Sequence, residues 1–244
     1  MPRKLRAKAG SAALLLLLAG PAMAQDVTVT LGDQTLTGQS LLLLGLVTVL
    51  SLAPGLAVMV TCFPFIVTVL SILRQAIGLQ QSPPNMLIVS LALFLTWLIM
   101  EPVFASAWSA GVEPLLAGTL DVHTAFDRAM APFRIFMAAR LDTDTFLSLA
   151  HLRPETADLT DATQAPLSLL VPSFMLSEVA RAFEIGFLVF LPFLIIDLVV
   201  SAVLMSMGMM MVPPAIVALP FKLAFFVVAD GWSLISGALV RSYF

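Results

Sequence analysis

The chain alternates long uncharged apolar runs with one long polar stretch. No charged residue falls between Asp33 and Arg74, or between Arg74 and Glu101. Pro54 and Pro64 punctuate the first run, so Leu41 to about Leu73 reads as one long helix or two short ones. Gln80-Gln-Ser-Pro-Pro84 breaks the second run, and a helix is expected from Met86 to Met100. From Ile185 the apolar character returns. Ile185 to Met211 and Pro213 to Val240 are each long enough to cross about 30 Å of hydrocarbon. The pattern predicts four hydrophobic helices in two hairpins.

Residues 101–184 differ in kind, with eleven acidic residues and five arginines. Apolar positions recur at helical spacing over Ala125–Leu141 and Asp144–Leu152, predicting amphipathic helices. Pro154 to Pro166 is charged, threonine-rich and bounded by prolines, so it reads as a loop. Ser173 to Glu178 is expected to open the next helix. The expected fold is all-α: two long hydrophobic hairpins flanking a mostly helical soluble insertion. The expected segments are a cleaved leader at 1–24, a polar segment at 25–40, a hairpin at 41–104, the polar helical domain at 105–184 and a second hairpin at 185–244.

The hairpins share landmarks. Pro64-Phe and Pro83-Pro84 in the first answer to Pro192-Phe and Pro213-Pro214 in the second. The first offset is 192 − 64 = 128 residues and the second 213 − 83 = 130. The two-residue difference is expected inside the methionine stretch Met205-Ser-Met-Gly-Met-Met-Met211.

Composition sharpens the class. The 244 residues are 60% hydrophobic and 11% charged, against about 25% charged in soluble domains. The mean hydropathy of +1.03 points to a membrane protein. Arg3, Lys4, Arg6 and Lys8 precede a short apolar run with five leucines, and Ala22-Met-Ala24 follows. That is a secretory leader cut between Ala24 and Gln25. Its loss would leave eight basic and fifteen acidic residues, 8 − 15 = −7, with no basic patch for nucleic acid. Cys62 is the single cysteine, which excludes an internal disulfide. Arg74, beside the first turn, favours a cytoplasmic position for that turn.

Glu184, Asp197, Lys222 and Asp230 lie in or beside the C-terminal apolar segments. A charge at the bilayer centre costs about 2.5–3.5 kcal/mol on insertion scales, so these residues should face protein or a water-filled path. Asp197 and Lys222 sit about 16 and 9 residues from the Pro-Pro turn by position in the sequence. That mismatch directs Lys222 to a partner elsewhere, with Glu178 and Glu184 as candidates. No glycine-rich phosphate loop, histidine pair at metal spacing or Gly-x-Ser-x-Gly occurs, so neither catalysis nor a cofactor is expected. A channel or carrier using Lys222 and Asp197 is the competing reading. Met205, Met207, Met209, Met210 and Met211 form a flexible, polarisable apolar cluster suited to a deformable seal.

Several long motifs carry a family likeness. They are Ser71-Ile-Leu-Arg-Gln-Ala-Ile-Gly-Leu-Gln-Gln-Ser-Pro-Pro-Asn85, Ala92-Leu-Phe-Leu-Thr96, Phe183-Glu-Ile-Gly-Phe-Leu-Val-Phe-Leu-Pro-Phe-Leu-Ile-Ile-Asp-Leu-Val199, Leu204-Met-Ser-Met-Gly-Met-Met-Met-Val-Pro-Pro214, Leu219-Pro-Phe-Lys-Leu223 and Asp230-Gly-Trp232. Over roughly 40–244 the chain resembles the FliP family of the flagellar type III export gate. The resemblance implies a pore-forming structural subunit, a pentamer joined by FliQ and FliR in a helical assembly. It implies unfolded flagellar proteins as cargo. The location it implies is the bacterial inner membrane, multi-pass, within the basal body, with the 105–184 insertion periplasmic. It also implies a methionine gasket at Met209, Met210 and Met211, with Met205 and Met207 beside it, and a charged contact between subunits through Glu178 and Lys222. A virulence type III secretion gate is the related alternative.

Overall fold

The computed structural model describes residues 36–79, 83–209 and 211–244. The chain divides into two units, 1–50 and 51–244. Of the first, residues 40–50 are helical and their described side chains are exposed. The second holds everything that follows, and its described residues form no strand.

Helix α1 is Leu36–Met59. It passes through Pro54 without ending there, so only the break at 60–62 separates it from α2, Phe63–Ile77. Pro64 sits in the first turn of α2, where its missing N–H costs nothing. Gly78 ends α2 in the left-handed region at φ 89°. Helix α3 is Asn85–Ala107, continued by a π-helical turn at Trp108–Val112 and the short α4, Glu113–Leu116. Helices α5, Val122–Arg140, and α6, Thr143–Ala150, begin on Asp121 and Asp142, whose carboxylates accept amide hydrogen bonds from His123, Thr124 and Thr145. Asp161 caps a 3-10 turn at Ala162–Gln164 in the same way.

Helix α7 runs from Leu167 to Ser206, 40 residues and about 60 Å. It opens at Leu167, six residues earlier than the Ser173 start expected from polar residues, since 173 − 167 = 6. It also passes unbroken through Pro192. Helix α8, Pro214–Val228, and α9, Gly231–Arg241, are set at 61° to each other across Asp230. By length and composition two helical stretches can cross a membrane, Asn85–Leu116 and Leu167–Ser206, or up to four if each bent pair is one span.

Helix α2 is the centre of the main core. Its buried positions Phe65, Ile66, Val69, Leu70, Leu73, Ala76 and Ile77 follow the three-and-four spacing of a helical stripe. They pack against α7 and α3. Gly186 permits the α2–α7 approach, because a Cβ there would overlap the Ile72 side chain. A second core of Met137, Phe146, Ala150, Leu170 and Phe174 joins α5, α6 and the first part of α7. Phe133 and Phe136 pack against both cores. The polar stretch therefore has no boundary of its own at either end. It begins inside α3, past Glu101 and Pro102, and finishes inside α7 at Glu184.

Candidate functional site

The methionine turn is a built structure. Met205 lies in the last turn of α7 and Met207 caps it. Gly208 is left-handed at φ 75°, a conformation that costs a residue with a Cβ. The Gly208 amide donates to the Met205 carbonyl at 3.0 Å, and the Met209 amide to the Leu204 carbonyl at 3.0 Å. These two bonds make a Schellman ending, which satisfies two carbonyls the helix leaves open. Pro213 and Pro214 then start α8.

The same geometry relocates the two-residue difference between the hairpins. Gly78 donates to the Gln75 carbonyl as Gly208 does to that of Met205. The glycines are 208 − 78 = 130 residues apart, the same offset as the proline pairs. Four residues separate glycine from proline in both turns. Counted from the glycines, the two turns have equal length, so the two-residue difference in spacing falls upstream, between Pro192 and Met205.

Met205, Met207 and Met211 are 61%, 67% and 96% exposed, and Met209 is 42% exposed. Met210 lies outside the described residues. Beside the turn, Leu204, Met207, Met209, Val217 and Phe221 line an apolar groove of about 540 Å³.

Lys222 departs from expectation. Its Nζ lies 2.7 Å from Asp197 Oδ2 and donates to the Ala76 carbonyl at 2.9 Å. The mismatch in height disappears when it is counted from the helix ends, α7 closing at Ser206 and α8 opening at Pro214. Asp197 is nine residues before the end of α7, 206 − 197, and Lys222 eight after the start of α8, 222 − 214. At about 1.5 Å per residue the two are level.

Glu178 is fully buried at the junction of the two cores. Arg140 Nε donates to its Oε1 at 3.2 Å, and Arg181 Nη1 lies 3.4 Å from the same oxygen. The Tyr243 hydroxyl donates to Oε2. The Arg140 guanidinium sits 4.0 Å over the Tyr243 ring and donates to the Ser242 carbonyl at 2.8 Å. Tyr243 also meets Phe65 edge-on and stacks on Phe136. Burial first, and the Glu178 charge second, push the Tyr243 phenol up from its ordinary pKa. Within one chain, then, Glu178 and Lys222 are separate, each with its own partners.

The remaining charges are placed singly. Arg74 donates to Asn85 and, at 3.4 Å, to the Pro83 carbonyl, tying the two ends of the first turn together. Glu184 is exposed. Asp230 is exposed and left-handed at φ 47°, forming the bend before α9. The Ala24–Gln25 cleavage position lies outside the described residues. No three His, Cys, Asp or Glu among the described residues gather to hold a metal.

Arg140 and Tyr243 were not singled out from the sequence. Their signals were present: Tyr243 is the chain's single tyrosine, and Arg140 ends the amphipathic α5. Nothing local to either shows that they meet Glu178, which lies 38 and 65 residues away.

Long apolar helices define the class, an all-helical membrane-associated protein, here with an enclosed ionic hub and an exposed thioether turn. The family model for FliP matches residues 46–239. A flagellar biosynthetic protein FliP from Caulobacter vibrioides is 50% identical over 229 residues, covering 93% of this chain and 86% of the relative. The FliP proteins of Agrobacterium fabrum and Bacillus subtilis are 46% and 44% identical, covering 95% and 82% of this chain and 96% and 90% of themselves. The chain belongs to the FliP family.

Proposed function

We propose that this chain is a pore-forming structural subunit of the flagellar type III protein export gate in the bacterial inner membrane, and that the methionine turn is its deformable seal. The reading combines membership of a family whose relatives are flagellar biosynthetic proteins with one observation. Met205, Met207, Met209 and Met211 are exposed around the hydrogen-bonded ending of α7. An apolar constriction excludes ions by dewetting. Unbranched thioethers re-pack around passing side chains of any shape. A hydrogen-bonded helix ending with pliable side chains suits both properties.

The subunit works within a homo-oligomer, pentameric by family resemblance, together with FliQ and FliR. Unfolded flagellar proteins are its cargo, and residues 105–184 lie in the periplasm. The relatives' names favour a flagellar over a virulence gate. A stand-alone carrier would need Lys222 or Asp197 free for a substrate, whereas they hold each other at 2.7 Å.

The test is electrical. Replacing Met209, Met210 and Met211 together by alanine in the assembled complex should leave the ring intact in mild detergent. It should raise ion conductance in planar bilayers roughly tenfold or more, because the apolar plug is removed. Unchanged conductance in an intact ring would remove the seal role. A monomer that conducts by itself would overturn the gate reading.

A further inference from the structure

We infer that Lys222 is a positioning residue for the methionine turn: with Asp197 and the Ala76 carbonyl it locks the axial register of α8 against α7 and α2. The functional half of this inference rests on the seal reading above, and the structural half stands apart from it.

Three helices meet at one ammonium group. Lys222 Nζ is 2.7 Å from Asp197 Oδ2 on α7 and 2.9 Å from the Ala76 carbonyl in the last turn of α2. That carbonyl is among those a helix cannot satisfy for itself, and a cation at a helix C-terminus also complements the dipole. The Lys222 side chain is 8% exposed.

The surrounding interface has little direction of its own. Towards the turn, α7 and α8 are parted by an apolar groove lined by Val200, Val203, Leu204, Val217 and Phe221, with Val203 and Phe221 half or more exposed. Below, Phe193 packs against Phe225 and Phe226. Apolar burial is non-directional, so these surfaces tolerate a slide. Pro220 lies inside α8 two residues before Lys222, where it removes a ladder hydrogen bond and loosens the helix. The ion pair is the directional contact in this region.

The pair is also poorly built as a source of stability. Asp197 Oδ1 is buried with no hydrogen-bond partner among the described residues. The Asp197 side chain is 35% exposed, and a partly exposed ion pair adds little net stability. Its geometry is what an apolar pair would not reproduce. Asp197 is joined to the end of α7 by unbroken helix, and Lys222 to the start of α8 by about two helical turns that contain Pro220. A slip at the pair therefore shifts the helix ends that carry the methionine turn.

The experiment uses the full chain with Cys62→Ala and spin labels at exposed Leu176 on α7 and Ile216 on α8. Pulsed dipolar spectroscopy then reads the position of α8 along α7. Lys222→Met and the apolar double variant Asp197→Leu with Lys222→Met are compared with the parent, and Lys222→Arg is the conservative control. The double variant keeps the helices packed while removing the lock.

In the double variant the distance distribution should broaden or shift about twofold relative to the parent width, with Lys222→Arg closer to the parent. Conductance of the assembled complex should rise as in the triple methionine variant. A parent-like distribution in the double variant would overturn the lock, whatever the conductance does. A broadened distribution with unchanged conductance would uphold the lock and sink the seal reading.

Discussion

Between Leu167 and Gly186, helix α7 buries Leu169, Leu170, Ser173, Phe174, Ser177, Glu178 and Ala182, whereas between Phe187 and Ser206 it buries only Phe193 and Leu204. Both halves are apolar and both belong to one uninterrupted helix. The first half has α2, α5 and α6 against it. The second half keeps Val189, Phe190 and Phe193 in the core centred on α2, has α8 along one side, and leaves Ile195, Leu198, Val199 and Val203 exposed. The charges follow the same division. In the first half a fully buried carboxylate is met by two guanidiniums and a phenol. In the second, Asp197 has one ammonium partner and one oxygen unmet. One half is largely buried inside this chain, and the other leaves most of its apolar surface exposed.

The sharpest way to break the contrast is at Glu178. Glu178→Ala leaves Arg140 without its buried counter-charge, with Arg140 Nη2 already lacking a partner. The expected loss is about 3–5 kcal/mol, read as a lower unfolding midpoint in detergent. An unchanged midpoint would mean the first half is not held by its ionic hub.

Next comes the α2–α7 approach. Gly186→Val should cost about 1–3 kcal/mol by overpacking against Ile72. Ile72→Ala in the same chain should return part of that loss. A purely additive loss would show that the two side chains do not compete for one space.

At the open end the expected loss is smaller. Gly208→Ala forces a Cβ into the left-handed region, at about 1–2 kcal/mol. Because Gly208 has open space around it, the loss comes from backbone conformation alone. Gly208→Asn should recover most of it. If alanine and asparagine behave alike, the Schellman ending does not govern the turn.

The smallest effect belongs to the helix caps of the polar stretch. Hydrogen bonds from Thr124, Thr145 and Thr163 hold Asp121, Asp142 and Asp161 below the usual carboxylate range. A carboxylate depressed in the folded state adds stability above its unfolded pKa and loses it as pH falls through the folded one. A slight fall in melting temperature is therefore expected on acidifying below about pH 4. Asparagine at all three sites keeps the caps without the titration and should flatten that fall.

Much of this was readable in advance because helices and membrane spans are local properties. Runs without charge, prolines and the three-and-four stripe of α2 depend on neighbours in sequence. The first hairpin, the amphipathic α5 and α6 and the methionine turn follow from them. Glu178 and Lys222 stood out because a charge in an apolar run must be answered by something. What answered was not local. Arg140 comes from the end of α5 and Tyr243 from beyond α9. Asp197 became the partner of Lys222 only once heights were counted from the helix ends.

The sequence by itself determined an all-helical, strongly apolar chain of the FliP family, and the chemistry of its one thioether turn. Helix propensity and hydrophobic length act over a few residues, so they are written in order along the chain. Only the tertiary structure decided which half of α7 is core and which is surface, which carboxylate each cation meets, and where the two-residue difference between the hairpins falls. Those outcomes depend on how helices approach one another across gaps of 25 to 146 residues, and apolar residues look the same in sequence whether their neighbour belongs to their own chain or to another molecule.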